Sequence, residues 1–404
     1  MNGLPLESLR VVDLSHAWAA PHCTRLLADY GAEVIKVEYP RRLCILRGAR
    51  RDEGLYDRQP AWGQVNRNKL SVTIDLGRPA DRDALRDLIR LADVVVMNSR
   101  PGSLDRHGFG PADLERLKPD LVILSMPAFG TTGPWSSFAG YGAIFEAMSG
   151  IQSLTAYDTE SKPARIKEID TLNGVVGACA VMTALVHRAE TGRGQHIDLS
   201  QLEAATHATA GEHMLEMVMN GRHTLPLGNR HPHFAPQGCY RCAGEDRWIA
   251  ITVRSDEEWR RLAAALGQPG WAADPRFTSA AERRRHHDEI DRLIEAWTST
   301  RDHREAMHTL QDAGVAAGAV LDLEEIARDR HLDERRYFTE PQAAPGTRYM
   351  GMPIRLAGSV PPVVTPGPRL GEHNTRVRSG LLGRPDNEIP VIGPDDIGLA
   401  YDPE

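Results

Sequence analysis

Positive charge is in short supply in this sequence. It carries 48 Lys and Arg against 55 Asp and Glu, a formal net charge of −7, which removes any general attraction to nucleic acid or to an anionic membrane. A phosphorylated ligand must therefore be held by basic residues placed locally. Cysteine is scarce and odd in number, at positions 23, 44, 179, 239 and 242, which argues for buried thiols over a disulfide framework. Cys239-Tyr-Arg-Cys242 has no second pair to complete a zinc site. His207, His213, His223, His231 and His233 lack helical ligand spacing, so no metal is expected. No uninterrupted apolar run reaches the ~18 residues that span a bilayer, and the opening Met-Asn-Gly-Leu-Pro lacks a signal-peptide pattern. A cytoplasmic protein is expected. No Gly-x-Gly-x-x-Gly follows the first strand, which counts against a dinucleotide cofactor.

What is present reads as α/β. At 404 residues the chain is too long for one ordinary core, so two domains are expected. Leu9–Leu14 is a short buried strand, Ser15–Pro21 a turn, Cys23–Tyr30 a helix closed by Gly31, and Ala32–Glu38 the next strand. Such βαβ units build parallel sheets whose ligands lie beyond the strand carboxyl ends. Pro40–Val65 is irregular, and its arginines 41, 42, 47, 50 and 51 read as a solvated loop, with a phosphate-facing loop as the alternative. Asn66 and Lys69 stand at the mouth of a strand running to Leu76. A helix over 79–91 turns Leu85, Leu88 and Leu91 to one face, and Val94–Asn98 is a further strand. After it, Asn98-Ser-Arg100-Pro-Gly102-Ser103-Leu-Asp-Arg106 makes a tight turn with two arginines suited to phosphate oxygens or an adenine face. Leu121–Ser125 is another strand, Gln201–Asn220 a long helix, and the basic run Arg283–His287 a solvated helix face.

The most informative stretch is 163–205. Asp170 stands at the start of an apolar, small-residue-rich helix that ends at Thr191-Gly-Arg-Gly194, before a strand over Gln195–Leu199. An Asp there can serve merely as a cap for free backbone N–H groups. Gly174 and Gly177, each costing the helix about 1 kcal/mol against Ala, suggest that something approaches the backbone closely.

Asp-x-x-x-Gly into an Ala-rich helix, then Thr-Gly-Arg-Gly-Gln and a strand ending Asp-Leu-Ser, resembles the family III CoA-transferases, the CaiB/BaiF family, which also includes the α-methylacyl-CoA racemases. The resemblance covers nearly the whole chain and is most specific over 163–200, 98–109 and 367–374. It implies a large Rossmann-like CoA-binding domain (1–205 and 329–404), a linker helix (206–225) and a smaller α/β domain (226–328), in an interlocked dimer with itself or a related subunit. It implies Asp170 as the nucleophile. It also implies a CoA site at His16, Ala17, Trp18, Lys69, Asn98, Arg100, Ser103 and Arg106. CoA thioesters would be substrates, with no tightly bound cofactor. Racemases of the family carry Gly-His-Asp where this chain has Gly140-Tyr141-Gly142. A two-base racemase needs both proton donors, so the resemblance favours transfer over the alternatives of an acyl-CoA racemase or isomerase and a CoA-binding subunit of a heteromer. Arg165 and Lys167, just before Asp170, hint at a second carboxylate on the substrate, as in succinate.

Overall fold

The computed structural model describes all residues except 1–2, 49–51, 167, 342–343, 358–364, 386, 388–391, 393–395 and 399–404. Its chain divides into two compact units, one of residues 1–151, 165–219 and 333–404, the other of 152–164 and 220–332. The second unit thus takes in 152–164, which the sequence reading placed in the large domain, and residues 206–219 belong to the first unit.

The larger unit is built on a six-stranded sheet in the order β3-β2-β1-β4-β5-β6, parallel at every pairing. The strands are β1 (Arg10–Asp13), β2 (Glu33–Glu38), β3 (Lys69–Thr73), β4 (Val94–Met97), β5 (Val122–Ser125) and β6 (His196–Asp198). Val94–Met97 and Val122–Ser125 are buried throughout, as expected of parallel strands covered on both faces. One core lies between this sheet and α1 (Ala19–Asp29) and α6 (Ile169–Thr191), joining Val11, Leu27, Val96, Leu124 and Val181. The other lies beneath α3 (Pro79–Arg90) and α4 (Pro111–Leu117), while the short α2 (Pro60–Asn66) packs on α1. On α3, Leu85 and Leu88 are buried as expected, but Leu91 is exposed and Ile89 takes the remaining inward place. Helix α1 begins at Ala19, earlier than expected, because Pro21 falls in its first turn, where a missing N–H does no harm.

Gly174 of α6 is explained by α1, and Gly177 by Met126. A Cβ on Gly174 would stand 2.7 Å from Ala19 O and 2.7 Å from His22 Cδ2, and one on Gly177 3.0 Å from Met126 Sδ. At Gly174 the close approach is helix on helix. Gly174→Ala is therefore expected to push the two helices apart and destabilise the protein by roughly 1–3 kcal/mol, seen as a lower Tm. Gly177→Ala, which meets the flexible end of Met126, should cost less. By length and composition alone α6 is long and apolar enough to cross a membrane, although polar residues interrupt its apolar run. Its buried stripe, Asn173, Gly177, Val181 and Ala184, faces the core. Gly192 ends it at φ +70°.

Two basic runs depart from the solvated reading. Arg47 is fully buried, with Nε and Nη2 each 2.7 Å from a Glu38 oxygen and its guanidinium 3.6 Å above the Trp62 ring. Arg50 and Arg51 lie outside the described residues. The expected helix over 201–220 is two, α7 (Gln201–Thr209) and α8 (Gly211–Asn220), because Ala210 leaves helical geometry.

The smaller unit has an antiparallel sheet, β7 (Gln237–Arg241), β8 (Trp248–Thr252) and β9 (Ala316–Ala319). Against it pack α9 (Asp256–Ala265), α10 (Ala280–Arg285), α11 (His287–Thr298) and α12 (His303–Asp312), around Trp259, Leu262, Phe277, Ile290 and Leu310. Arg283 is buried here, donating to Ala235 O at 2.7 Å, Phe277 O at 2.9 Å and Asp256 Oδ1 at 2.8 Å. His287 is buried one turn on. Only the residues between them face outward. Among the cysteines, 23, 44 and 242 are buried, 239 is half-buried and 179 is exposed. Burial pushes the Cys23 thiol up to about 12.

Candidate active site

The strand order reverses between β1 and β4, the crevice at which open parallel sheets bind ligands. The loops after these two strands are tied together by Asn98. Its Oδ1 accepts from His16 N–H at 2.8 Å, and its Nδ2 donates to His16 O at 2.7 Å. The turn so held places Ala17 at φ +60°, a left-handed conformation that a residue with a Cβ adopts at a cost. The Ala17 N–H donates to Cys44 Sγ at 3.3 Å. Trp18 comes next, half-buried at the mouth of α1. With Arg58, Lys69, Tyr349 and His373 it lines a cavity of about 1090 Å³, so it is a wall residue and not part of the core.

Asn98 and Lys69 were expected to face CoA, and both are engaged by protein groups here. Both ends of the Asn98 amide engage the His16 backbone. Lys69 is buried, and its Nζ donates to Asp13 Oδ2 at 3.0 Å, Pro21 O at 2.8 Å and Asn66 Oδ1 at 2.9 Å. Burial, partly offset by Asp13, lowers its pKa to about 8. Burial alone would raise the Asp13 carboxyl, yet Lys36 and Lys69 hold it well below the carboxylate range. Arg100 and Ser103 form the next turn, where Ser103 Oγ donates to Arg100 O at 2.6 Å and Gly102 sits at φ +81°. Arg100 borders a second cavity of about 180 Å³ with Ser125 and His196. Arg106 is exposed, its Nε 3.2 Å from His107 Nε2.

Asp170 is the second residue of α6, after Glu168 at the N-cap. Its carboxylate caps nothing: it has no hydrogen bond or ion pair among the described residues. It is half-buried, and burial, with the nearby Glu146 carboxylate adding to it and Arg165 opposing, raises its pKa. Gly142 lies directly against it, since a Cβ there would stand 2.6 Å from Asp170 Oδ2. Gly142 begins α5 (Gly142–Met148), and Phe145 of that helix packs with Ile169, Leu172 and Ala205. Gly174, one turn beyond Asp170, touches Ala19, so the His16–Trp18 turn and the carboxylate belong to one neighbourhood. Asp170 borders neither cavity. Lys167 lies outside the described residues.

The fold is a doubly covered α/β sheet with a switch-point crevice, and at the mouth of α6 stands a half-buried Asp with no hydrogen bond or ion pair among the described residues. Residues 6–374 match CoA-transferase family III, and the chain belongs to that family and is a CoA-transferase. It is 34% identical over 395 residues to the succinyl-CoA–D-citramalate CoA-transferase of Chloroflexus aurantiacus, covering 96% of each chain. It is 30% identical over 397 residues to the beta subunit of the succinyl-CoA–L-malate CoA-transferase of the same organism, again over 96% of each chain. The crystal structure of a CaiB/BaiF family protein from Brucella suis superimposes with a TM-score of 0.83 at 29% identity, over 94% of this chain and 100% of that one.

Sequence reading missed Glu146. A single carboxylate inside the apolar run Gly-Ala-Ile-Phe-Glu-Ala-Met is the signal that was there to find. It also flagged Gly142 only as a departure from the racemases, when the missing side chain is what makes room for Asp170.

Proposed function

We propose that this enzyme moves CoA from an acyl-CoA donor, with succinyl-CoA the first candidate, to a carboxylic acid through an aspartyl-CoA thioester on Asp170. The observation that carries this reading is a half-buried carboxylate with no hydrogen bond or ion pair among the described residues, and with a glycine in place of a side chain beside it. Asp170 attacks the thioester carbonyl and expels the CoA thiolate, forming a mixed anhydride. The thiolate attacks the aspartyl carbonyl, releasing the donor acid and leaving the aspartyl thioester. The acceptor carboxylate then attacks that thioester and expels the thiolate, which takes the new acyl group and frees Asp170. N–H groups at the start of α6 suit the developing oxyanions. Incubation with succinyl-CoA and a panel of acids, following new thioesters by mass, tests the reading. Transfer to none of the acids would count against it.

In this reading His16, Ala17, Trp18, Arg100, Ser103 and Arg106 face CoA, with Lys69 and Asn98 holding the turns that do so. Arg106→Ala is expected to weaken CoA thioesters by roughly 1–3 kcal/mol, alike for every acyl group. An effect confined to one acyl chain would move Arg106 to the acid pocket. The racemase alternative would need a second proton donor of the His-Asp kind where this chain has Tyr141 and Gly142. The reading also takes the chain as half of an interlocked dimer, with itself or with a related subunit. Apolar side chains exposed on α6 (Val175, Met182, Val186) and on α8 (Met214, Leu215, Val218, Met219) supply the unpaired surface such a dimer would cover.

A further inference from the structure

Glu146 follows Gly142 by four residues on α5, so the two share a helix face, and that face meets Asp170. Glu146 is fully buried. Its Oε2 accepts from Arg165 Nε at 3.2 Å. A buried carboxylate is a fixed anchor, because a charge held in the interior depends on the groups that meet it there. Arg165 itself is 48% exposed. Only its Nε is engaged, and neither terminal NH₂ group has a partner among the described residues. A guanidinium tethered through Nε keeps four donors in a fixed plane, the arrangement that takes a carboxylate by its edge.

The chemistry gives that open edge a use at one stage. In the resting enzyme the Arg165 guanidinium bonds Glu146 and also favours the charged form of Asp170. Once Asp170 is a neutral thioester, only Glu146 remains. The incoming acid brings the second negative charge back. We propose that Arg165, positioned by Glu146, is the receptor for the carboxylate of the acid substrate. This rests on the aspartyl-thioester reading above.

The test is steady-state kinetics of wild type, Arg165→Gln, Arg165→Lys and Glu146→Gln, with succinyl-CoA as donor and the best-turned-over acid of the panel as acceptor. The CoA adduct on Asp170 is trapped by hydroxylamine in parallel. Arg165→Gln should raise KM for the acid roughly 10- to 100-fold while Asp170 remains modified by donor. Arg165→Lys should recover part of the loss. Glu146→Gln should raise the acid KM less than Arg165→Gln, since the receptor is loosened and not removed. Pairs of mono- and dicarboxylic acids of equal length separate two sources of the bound group. An equal effect on both assigns the reacting carboxylate, and an effect on diacids alone assigns the distal one. An unchanged acid KM in Arg165→Gln, with Asp170 still labelled, overturns the proposal. So does a fall in kcat alone that Arg165→Lys does not relieve. Transfer by wild type with Asp170 never labelled would instead overturn the reading on which the proposal stands.

Discussion

Asp170→Asn is expected to lose transfer by on the order of 10³-fold or more while the folded protein becomes more resistant to heat at neutral pH. The first effect follows from removing the nucleophile with a nearly isosteric side chain. The second follows from the sign of its pKa shift. Burial and Glu146 raise the Asp170 pKa above its ordinary value, so the folded protein holds this proton more tightly than the unfolded chain. Ionising Asp170 therefore destabilises the fold, beginning as pH rises past the unfolded value and reaching its full extent above the folded one. An amide carries no such penalty. The Tm of Asp170→Asn should exceed that of wild type at pH 7, and the difference should vanish at pH values below the carboxylate range. Equal melting at both pH values would mean that the carboxylate is not under the electrostatic pressure described. Near-wild-type transfer by rigorously purified mutant would mean that another group is the nucleophile.

Gly142→Ala is the second large expected effect. Its Cβ would stand 2.6 Å from Asp170 Oδ2 and 3.2 Å from Cγ, well inside contact distance. What must yield is a carboxylate with no hydrogen bond to hold it among the described residues, so the fold should tolerate the change with little loss of Tm. The displaced nucleophile should not. Misplacing a reacting atom by about 1 Å can cost 10²-fold, and a fall in kcat of that order is expected, with the KM for donor changed much less. Unimpaired kcat would show that Asp170 reacts from a position other than the one seen.

The sheet was legible because its central strands are short, continuous apolar runs separated by helical periodicity, and because Gly192 closes α6 as a glycine in the left-handed region should. Arg47 and Arg283 were not legible. Both sit among other arginines, and what buries them lies beyond the run itself: Glu38 and Trp62 for one, Ala235 and Asp256 for the other. Asn98 was marked as a functional residue, but its partner is the His16 backbone, 82 residues away, and no local pattern announces such a bond. Asp170 could be singled out from its motif. The reasons it suits the chemistry, the absence of a partner and the contact with Gly142, exist only once α5 is laid against the start of α6.

The central claim, a covalent aspartyl intermediate, is tested most directly on the peptide that carries Asp170. The enzyme is incubated with an acyl-CoA donor in deuterated water, treated with hydroxylamine, digested and weighed. Modification should fall on Asp170, and the recovered acyl-CoA should carry no enzyme-dependent deuterium at its α carbon. Deuterium entering at a catalytic rate, with Asp170 never modified, would contradict the account and leave proton transfer at the α carbon as the chemistry of this site.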